Sequence, residues 1–374
     1  MEKTDITIIG AGVIGLSAAA QLSATNKNMM LLERNLSFGM ETSSRSSEVI
    51  HAGIYYAKGS LKGELCIEGN KLMYDTCITN KIPHSNCGKL IVAVTEEQAA
   101  QLPELLEMAL NNGAEGVRIV NEEEIKKLEP NVKAIAALYC PTSGIVDSHS
   151  LMKYYESVAA KNGCDIAYNV EVIAIEKHPE GYLLTVKDHG NETLQFLTKR
   201  LVNCAGLESG NISAMLGIDQ DKENYRIQYS KGMYFRVTRG IDKFPKMLIY
   251  PVPPASGFVG IHTTPDLSGG MRLGPHDAWV DEIEYSVDSS LRQFFFDSVK
   301  TFLPTLKIED LQPEGAGIHP KVQKKGEPMK DWIMRHETER GLDQFFNLVG
   351  MESPGITSSV AIGKKVVEMM AKAE

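Results

Sequence analysis

Gly10, Gly12 and Gly15 stand in the spacing Gly-x-Gly-x-x-Gly directly after the apolar run Ile6-Thr7-Ile8-Ile9. A strand, that turn and a following helix make a dinucleotide-binding unit. Gly10 permits the tight turn, Gly12 lets the backbone approach a pyrophosphate, and Gly15 lets the helix pack closely on the strand. Val13 and Ile14 open the helix, whose N-terminus offers N–H groups and partial positive charge to phosphates. Glu33 ends a second apolar run, Met29-Met30-Leu31-Leu32, and is placed to accept hydrogen bonds from a ribose 2′-hydroxyl. An acid there argues against a 2′-phosphate, so NADP is not expected. Other reactive groups are more scattered. His51 lies in Val49-Ile50-His51-Ala52-Gly53, and His262 follows Gly260-Ile261. Ser43, Ser44, Arg45 and Ser46 form a donor-rich turn. Lys231, Tyr250 and Lys89 are donors that suit an anionic substrate. Taken alone, a histidine in an apolar run reads as a satisfied core residue, and each lysine reads equally well as a solvated cation.

The elements that must position these groups are legible from periodicity. Helices are expected over 13–25, 61–79, 96–111, 122–128, 150–161, 290–302 and 354–373. Strands are expected over 89–94, 165–168, 171–175, 182–186, 200–204 and 345–349, with strand-rich chain over 225–271. Parallel-strand signals return at 201–206 and 345–350, far from the fingerprint. The fold class is therefore α/β: a Rossmann-like domain assembled from separated segments, with an inserted, mainly antiparallel α+β domain. The expected division is 1–85, 145–222 and 320–374 for nucleotide binding, and 86–144 and 223–319 for substrate.

The 374 residues allow two domains, and 43% hydrophobic with 23% charged residues allow a sizeable core. A net charge of −9 without a basic block argues against nucleic acid as a partner. The six cysteines show neither C-x-x-C spacing nor zinc-type clustering with histidine, so no metal site is expected. They read as inert thiols of a reducing compartment, and a cytoplasmic location is expected. Acids at Glu2 and Asp5 argue against a signal peptide, and no run reaches the length of a membrane span, which leaves peripheral membrane contact open.

Several further segments, in order and spacing, resemble the FAD-dependent oxidoreductases of the D-amino-acid-oxidase-like family, particularly its branch that oxidises L-2-hydroxyglutarate. They are Ser47-Glu48-Val49-Ile50-His51-Ala52-Gly53-Ile54-Tyr55-Tyr56, Cys87-Gly88-Lys89-Leu90-Ile91-Val92, Thr142-Ser143-Gly144-Ile145-Val146-Asp147, Asn203-Cys204-Ala205-Gly206-Leu207, Gly260-Ile261-His262-Thr263-Thr264 and Glu352-Ser353-Pro354-Gly355-Ile356. The resemblance implies noncovalent FAD rather than NAD, and oxidation of a 2-hydroxy acid by hydride transfer to flavin N5. It implies that the serine-rich turn lies along the pyrophosphate and ribityl chain. It also implies that Val172 meets the adenine side through its backbone, and that Ala205 and Gly206 approach the cofactor. Gly350, Glu352, Ser353, Pro354, Gly355 and Ile356 end a strand and begin a helix that can face the pyrimidine ring. Arg34, Thr42 and Gly317 join this cofactor set, and Tyr55 joins the substrate set. The resemblance turns His51 into the expected base beside the flavin, with His262 as its competitor. At position 319 the family carries Arg, a fork for a carboxylate, where this chain has His319; the exact substrate is therefore open. Amino-acid, amine and glycerol-3-phosphate oxidation are alternatives on the same fold, as is a redox subunit of a complex. The electron acceptor, whether quinone, carrier protein or dioxygen, is not written in the sequence.

Overall fold

The computed structural model describes residues 2–253 and 260–373. The chain divides into two compact units, residues 1–44, 148–229 and 319–374 forming the first and 45–147 with 230–318 the second.

In the first unit the apolar run after Lys3 becomes the strand Lys3–Ile9, and Ile6, Thr7 and Ile8 are fully buried. A strand hydrophobic on both faces suits the interior of a parallel sheet. Lys3–Ile9 pairs in parallel with Met29–Glu33 on one side and Thr193–Asn203 on the other, and Thr193–Asn203 pairs in parallel with Phe345–Val349. Four strand ends therefore open at one edge, at Gly10, Arg34, Cys204 and Gly350, the edge at which such sheets bind ligands. Gly10 turns there with φ of +103°, and a Cβ on it would lie 2.5 Å from the Cys204 carbonyl oxygen. The helices Val13–Leu22 and Gly355–Ala371 approach closely because Gly363 has no side chain; a Cβ there would lie 2.7 Å from Ser17 Oγ. Ser17 uses that hydroxyl to donate to the Ser359 carbonyl.

The second unit is built on a sheet ordered Leu311–Lys321, Gln228–Val237, Met271–Val280, His262–Pro265, Leu248–Pro251, Lys89–Ala93, Ala136–Cys140 and Arg118–Asn121. Side chains alternate between its faces. Leu90, Ile249, Phe235 and Leu273 pack on one face with Phe295, Val299 and Phe302. Ile91, Leu248 and Tyr250 belong to the opposite face, with Val49, Ala52 and Ile54.

Two expectations are corrected. Residues 45–85 and 145–147 lie in the second unit, and 223–229 and 319 in the first. The reason is pairing across long sequence distance: Val49–Ile50 and His84–Ser85 both pair with Gly144–Val146, and Asn70 donates to the carbonyls of His51 and Thr142. Tyr225, at the other boundary, is buried in the core of the first unit and donates to Glu337. The single helix expected over 96–111 is two, Glu96–Ala99 and Leu102–Asn111. Pro103 cannot donate within a helix interior and sits in the first turn of the second helix instead.

Candidate cofactor and substrate sites

At the strand edge of the first unit lies an open cleft, lined among others by Gly10, Gly12, Glu33, Ser43, Val172 and Ala205. Its walls depend on absent Cβ atoms. One on Gly12 would lie 3.2 Å from Ser43 Oγ, and one on Gly15 would lie 1.9 Å from the Gly10 carbonyl oxygen. Glu33 is buried; one carboxylate oxygen accepts from the Ala11 N–H at 2.8 Å, and the other from the backbone and side-chain nitrogens of Asn35 at 2.9 and 2.8 Å. A carboxylate offers about four acceptor positions, so acceptor capacity remains for a ribose hydroxyl. Ser43 Oγ accepts from the Val13 N–H at 3.0 Å, satisfying one of the helix's open donors. Arg34, also lining the cavity, pairs with Glu41 at 2.6 Å and Glu208 at 3.3 Å.

The turn that carries Ala205 and Gly206 is braced by Asn203. Its side-chain nitrogen donates to the Ser209 carbonyl and to Asn347 Oδ1, both at 2.8 Å, and its oxygen accepts from the Ala205 N–H at 3.1 Å. Asn347 and Tyr225 in turn donate to the buried Glu337, whose charge Arg340 balances at 2.7 Å. At the neighbouring strand end, Lys321 donates to the buried Glu352 at 2.6 Å, and His319 Nδ1 stands 3.7 Å from the same oxygen. The helix Gly355–Ala371 begins just beyond, with Pro354 at its N-cap.

The second unit holds a buried polar cluster on one face of its sheet. Leu248 is registered with Lys89 and Ile249 with Thr263 in adjacent strands, which sets Tyr250 beside His262. The two rings stack at 3.6 Å with 16° between planes, and Lys89 Nζ lies 4.0 Å from the centre of the Tyr250 ring. Lys89 is 1% exposed, and among the described residues no carboxylate pairs with it. Burial lowers its pKa to about 8. His262 Nδ1 lies 3.1 Å from the Gly260 carbonyl, which fixes the proton on that nitrogen and leaves Nε2 with a lone pair and no partner among the described residues. Burial, then the Lys89 charge, push its pKa down to about 3. His51 is held well below the ordinary histidine value by burial, by Lys89 and by His262. Tyr55 and Tyr250 are raised well above the ordinary tyrosine value by burial, so both stay protonated, and neither hydroxyl has a partner among the described residues. The cluster thus offers one desolvated cation, two unspent O–H donors and neutral imidazoles. That is a set of groups for an anion that also carries a proton to be removed.

The model of the family described as "FAD dependent oxidoreductase" matches residues 5–369. The chain belongs to that family. It is 32% identical to the mitochondrial L-2-hydroxyglutarate dehydrogenase of Arabidopsis thaliana, with 98% of this chain and 83% of that protein covered. Its fold is similar to that of L-alpha-glycerophosphate oxidase from Mycoplasma pneumoniae with FAD bound, with a TM-score of 0.88, 29% identity and coverage of 99% and 95% of the two chains. Glycine oxidase from Geobacillus kaustophilus shares the fold, with a TM-score of 0.82 at 20% identity and coverage of 100% and 96%.

This chain is a FAD-dependent oxidoreductase, and the glycine cradle with its acidic acceptor suits the adenosine diphosphate half of FAD. The cavity brings together Gly10, Gly12, Glu33, Arg34, Thr42, Ser43, Val172, Ala205 and Gly206. Ser44 lies in the first unit beside it in sequence, whereas Arg45 and Ser46 lie in the second, where Arg45 stacks 3.7 Å over the Tyr285 ring. Gly317 packs on Arg45: a Cβ there would lie 2.5 Å from the Arg45 carbonyl oxygen. In the second unit the structure gathers His51, Tyr55, Lys89, Tyr250 and His262. It does not bring Lys231 to them. By alternation Lys231 shares the face of Phe235 and Val237, which pack in the opposite core, and its charge is taken by Glu284. Lys89, the weaker candidate by sequence, is the lysine in the cluster. Sequence reasoning missed Asn203 as a brace and Thr264, two residues beyond His262, whose buried hydroxyl also lacks a partner. The period-2 pattern from His262 was the signal that could have found Thr264. Among the described residues no helix is long and apolar enough to cross a membrane.

Proposed function

We propose that the chain oxidises L-2-hydroxyglutarate to 2-oxoglutarate. The observation that carries this reading is the buried Lys89 without a carboxylate partner beside a neutral His262 with an unspent lone pair; the likeness to L-2-hydroxyglutarate dehydrogenases supports it. FAD, when bound, supplies the acceptor of the substrate's C2 hydride. The protein's own part is to hold the C1 carboxylate at Lys89, with the Tyr55 and Tyr250 hydroxyls donating to the substrate's oxygens. The C2 hydroxyl proton passes to an imidazole nitrogen. His262 Nε2 has the open lone pair, and His51 is the second base in the cluster. Both are weak bases, first because they are buried and then because of the unbalanced Lys89 charge. An arriving carboxylate offsets that charge and so raises the basicity of both rings. The substrate thereby helps to switch on the base that will deprotonate it.

Anaerobic titration of purified holoenzyme tests the reading. L-2-hydroxyglutarate should bleach the flavin absorbance, and L-amino acids should not. Glycerol 3-phosphate is the necessary control, because a structural relative is a glycerophosphate oxidase. Bleaching by glycerol 3-phosphate alone would replace the hydroxy acid with that substrate.

A further inference from the structure

The sheet face that carries His262 also carries an arginine. Thr264 is registered with Arg272 and His262 with Gly274 in adjacent strands. With Leu248 facing Thr264 and Lys89 facing Leu248, one row across the sheet reads Arg272, Thr264, Leu248, Lys89. The next row reads Gly274, His262, Tyr250, Ile91. Rows lie about 7 Å apart along the strands, and strands about 4.8 Å apart. The backbone of Arg272 lies one strand from His262 and that of Lys89 two strands away on the other side; the Lys89 charge acts on the His262 ring, while the Arg272 guanidinium lies toward Glu314 and the Ser46 carbonyl. The Cα atoms of Arg272 and Lys89 are about 14 Å apart, and both side chains are long.

The Arg272 guanidinium is only lightly engaged. It donates to the Ser46 carbonyl at 3.3 Å and stands 3.7 Å from Glu314. Glu314 is held more closely by Arg236, at 2.8 and 3.0 Å. Beside Arg272 in its row, Thr264 is 2% exposed and its hydroxyl has no partner among the described residues. A buried hydroxyl without a partner is uncommon and is satisfied when a ligand supplies one. Arginine's planar fork suits a carboxylate or a phosphate.

We propose that Arg272 and Thr264 form a second anion subsite, which binds the distal anionic group of a dianionic substrate whose hydroxyl-bearing carbon lies at His262. This rests on the reading of the cluster as the substrate site and deepens it. Lys89 takes the anionic group next to the reacting carbon, and Arg272 with Thr264 selects substrates that carry a second one.

The test uses holoenzymes: wild type, Arg272→Met, Arg272→Lys and Thr264→Val. Each is assayed with L-2-hydroxyglutarate, with glycerol 3-phosphate, and with the monoanion L-2-hydroxybutyrate. Arg272→Met should raise KM for the dianion L-2-hydroxyglutarate by about 10- to 100-fold, the loss of a charge-assisted pair, with kcat within about threefold. KM for L-2-hydroxybutyrate should not move. Arg272→Lys should recover part of the loss, and Thr264→Val should show a smaller loss of the same selectivity. Glycerol 3-phosphate carries a single anionic group, so a loss confined to it would make Arg272 a primary phosphate site and overturn the two-anion subsite. Unchanged dianion KM in Arg272→Met overturns the proposal. Equal losses for dianion and monoanion, with reduced FAD content, also overturn it and make Arg272 a brace for the Ser46 segment. Binding of glutarate against butyrate, followed by calorimetry, reads the subsite without turnover. Glutarate preference that vanishes in Arg272→Met supports the subsite even if no hydroxy acid is oxidised, an outcome that would remove only the proposed reaction. Absence of any glutarate preference in wild type overturns the subsite.

Discussion

The polar groups around the cofactor cradle and those of the substrate cluster are in opposite conditions. Around the cradle they are spent on one another: Glu33 accepts three hydrogen bonds, Ser43 satisfies Val13, Arg34 sits between two acids, and the Asn203–Asn347–Glu337 network is closed by Tyr225 and Arg340. In the substrate cluster the hydroxyls of Tyr55, Tyr250 and Thr264 and Nε2 of His262 are buried with no partner among the described residues, and Lys89 is buried without a counter-carboxylate among them. A closed network fixes the shape of a binding surface before the ligand arrives. An open one stores desolvation that a ligand of the right charge relieves. The first suits a cofactor that stays; the second suits a substrate that comes and goes.

The largest effect separating the two should come from the cradle. Gly10→Val forces a side chain into the Cys204 carbonyl at a positive φ, and the purified protein should be colourless while the second unit is untouched. Flavin absorbance after purification decides it, and a yellow variant would show that the cradle tolerates a side chain. Next in size is Lys89→Met. It should raise KM for L-2-hydroxyglutarate roughly 100-fold, yet raise the melting temperature, because a buried cation without a counter-charge is removed. Thermal unfolding measured beside steady-state kinetics checks both signs; a lower melting temperature with KM unchanged would make Lys89 a structural residue. The smallest effect sharpens the contrast most. Tyr250→Phe deletes a hydroxyl that has no partner and should leave stability nearly unchanged while lowering kcat/KM about tenfold. Tyr225→Phe deletes a hydroxyl bonded to Glu337 and should cost about 1–3 kcal/mol of stability without a comparable kinetic loss. Matching behaviour of the two variants would erase the distinction drawn between the units.

The same contrast explains what could be read from the chain before folding. The cradle is local. Three glycines, a strand and an acid within Gly10–Glu33 impose it through backbone geometry alone, and Cys204 and Gly350 enter because parallel strands share one edge. The substrate cluster is not local. Lys89, Tyr250 and His262 come from three strands, and which lysine joins them depends on pairing register. A shift of one residue moves a side chain to the other face. Lys231 and Lys89 both follow the pattern of a lysine beside glycine, and only the strand phase separates them. The boundary at Ser44 was likewise hidden, because Val49–Ile50 finds its partner about a hundred residues later.

The central claim is that Lys89 is a desolvated cation awaiting the substrate's anion, and its titration tests this most directly. Its pKa in the free protein is lowered from the usual lysine value to about 8, so the charge is present below that pH and lost as pH rises through it. The dissociation constant of L-2-hydroxyglutarate, measured on the holoenzyme between pH 6 and about 9.5, should be flat below pH 8 and then rise about tenfold per unit. Lys89→Arg, whose guanidinium stays charged, should bind without that rise. A wild-type constant that stays flat through pH 9.5, or a rise shared equally by Lys89→Arg, would contradict the account.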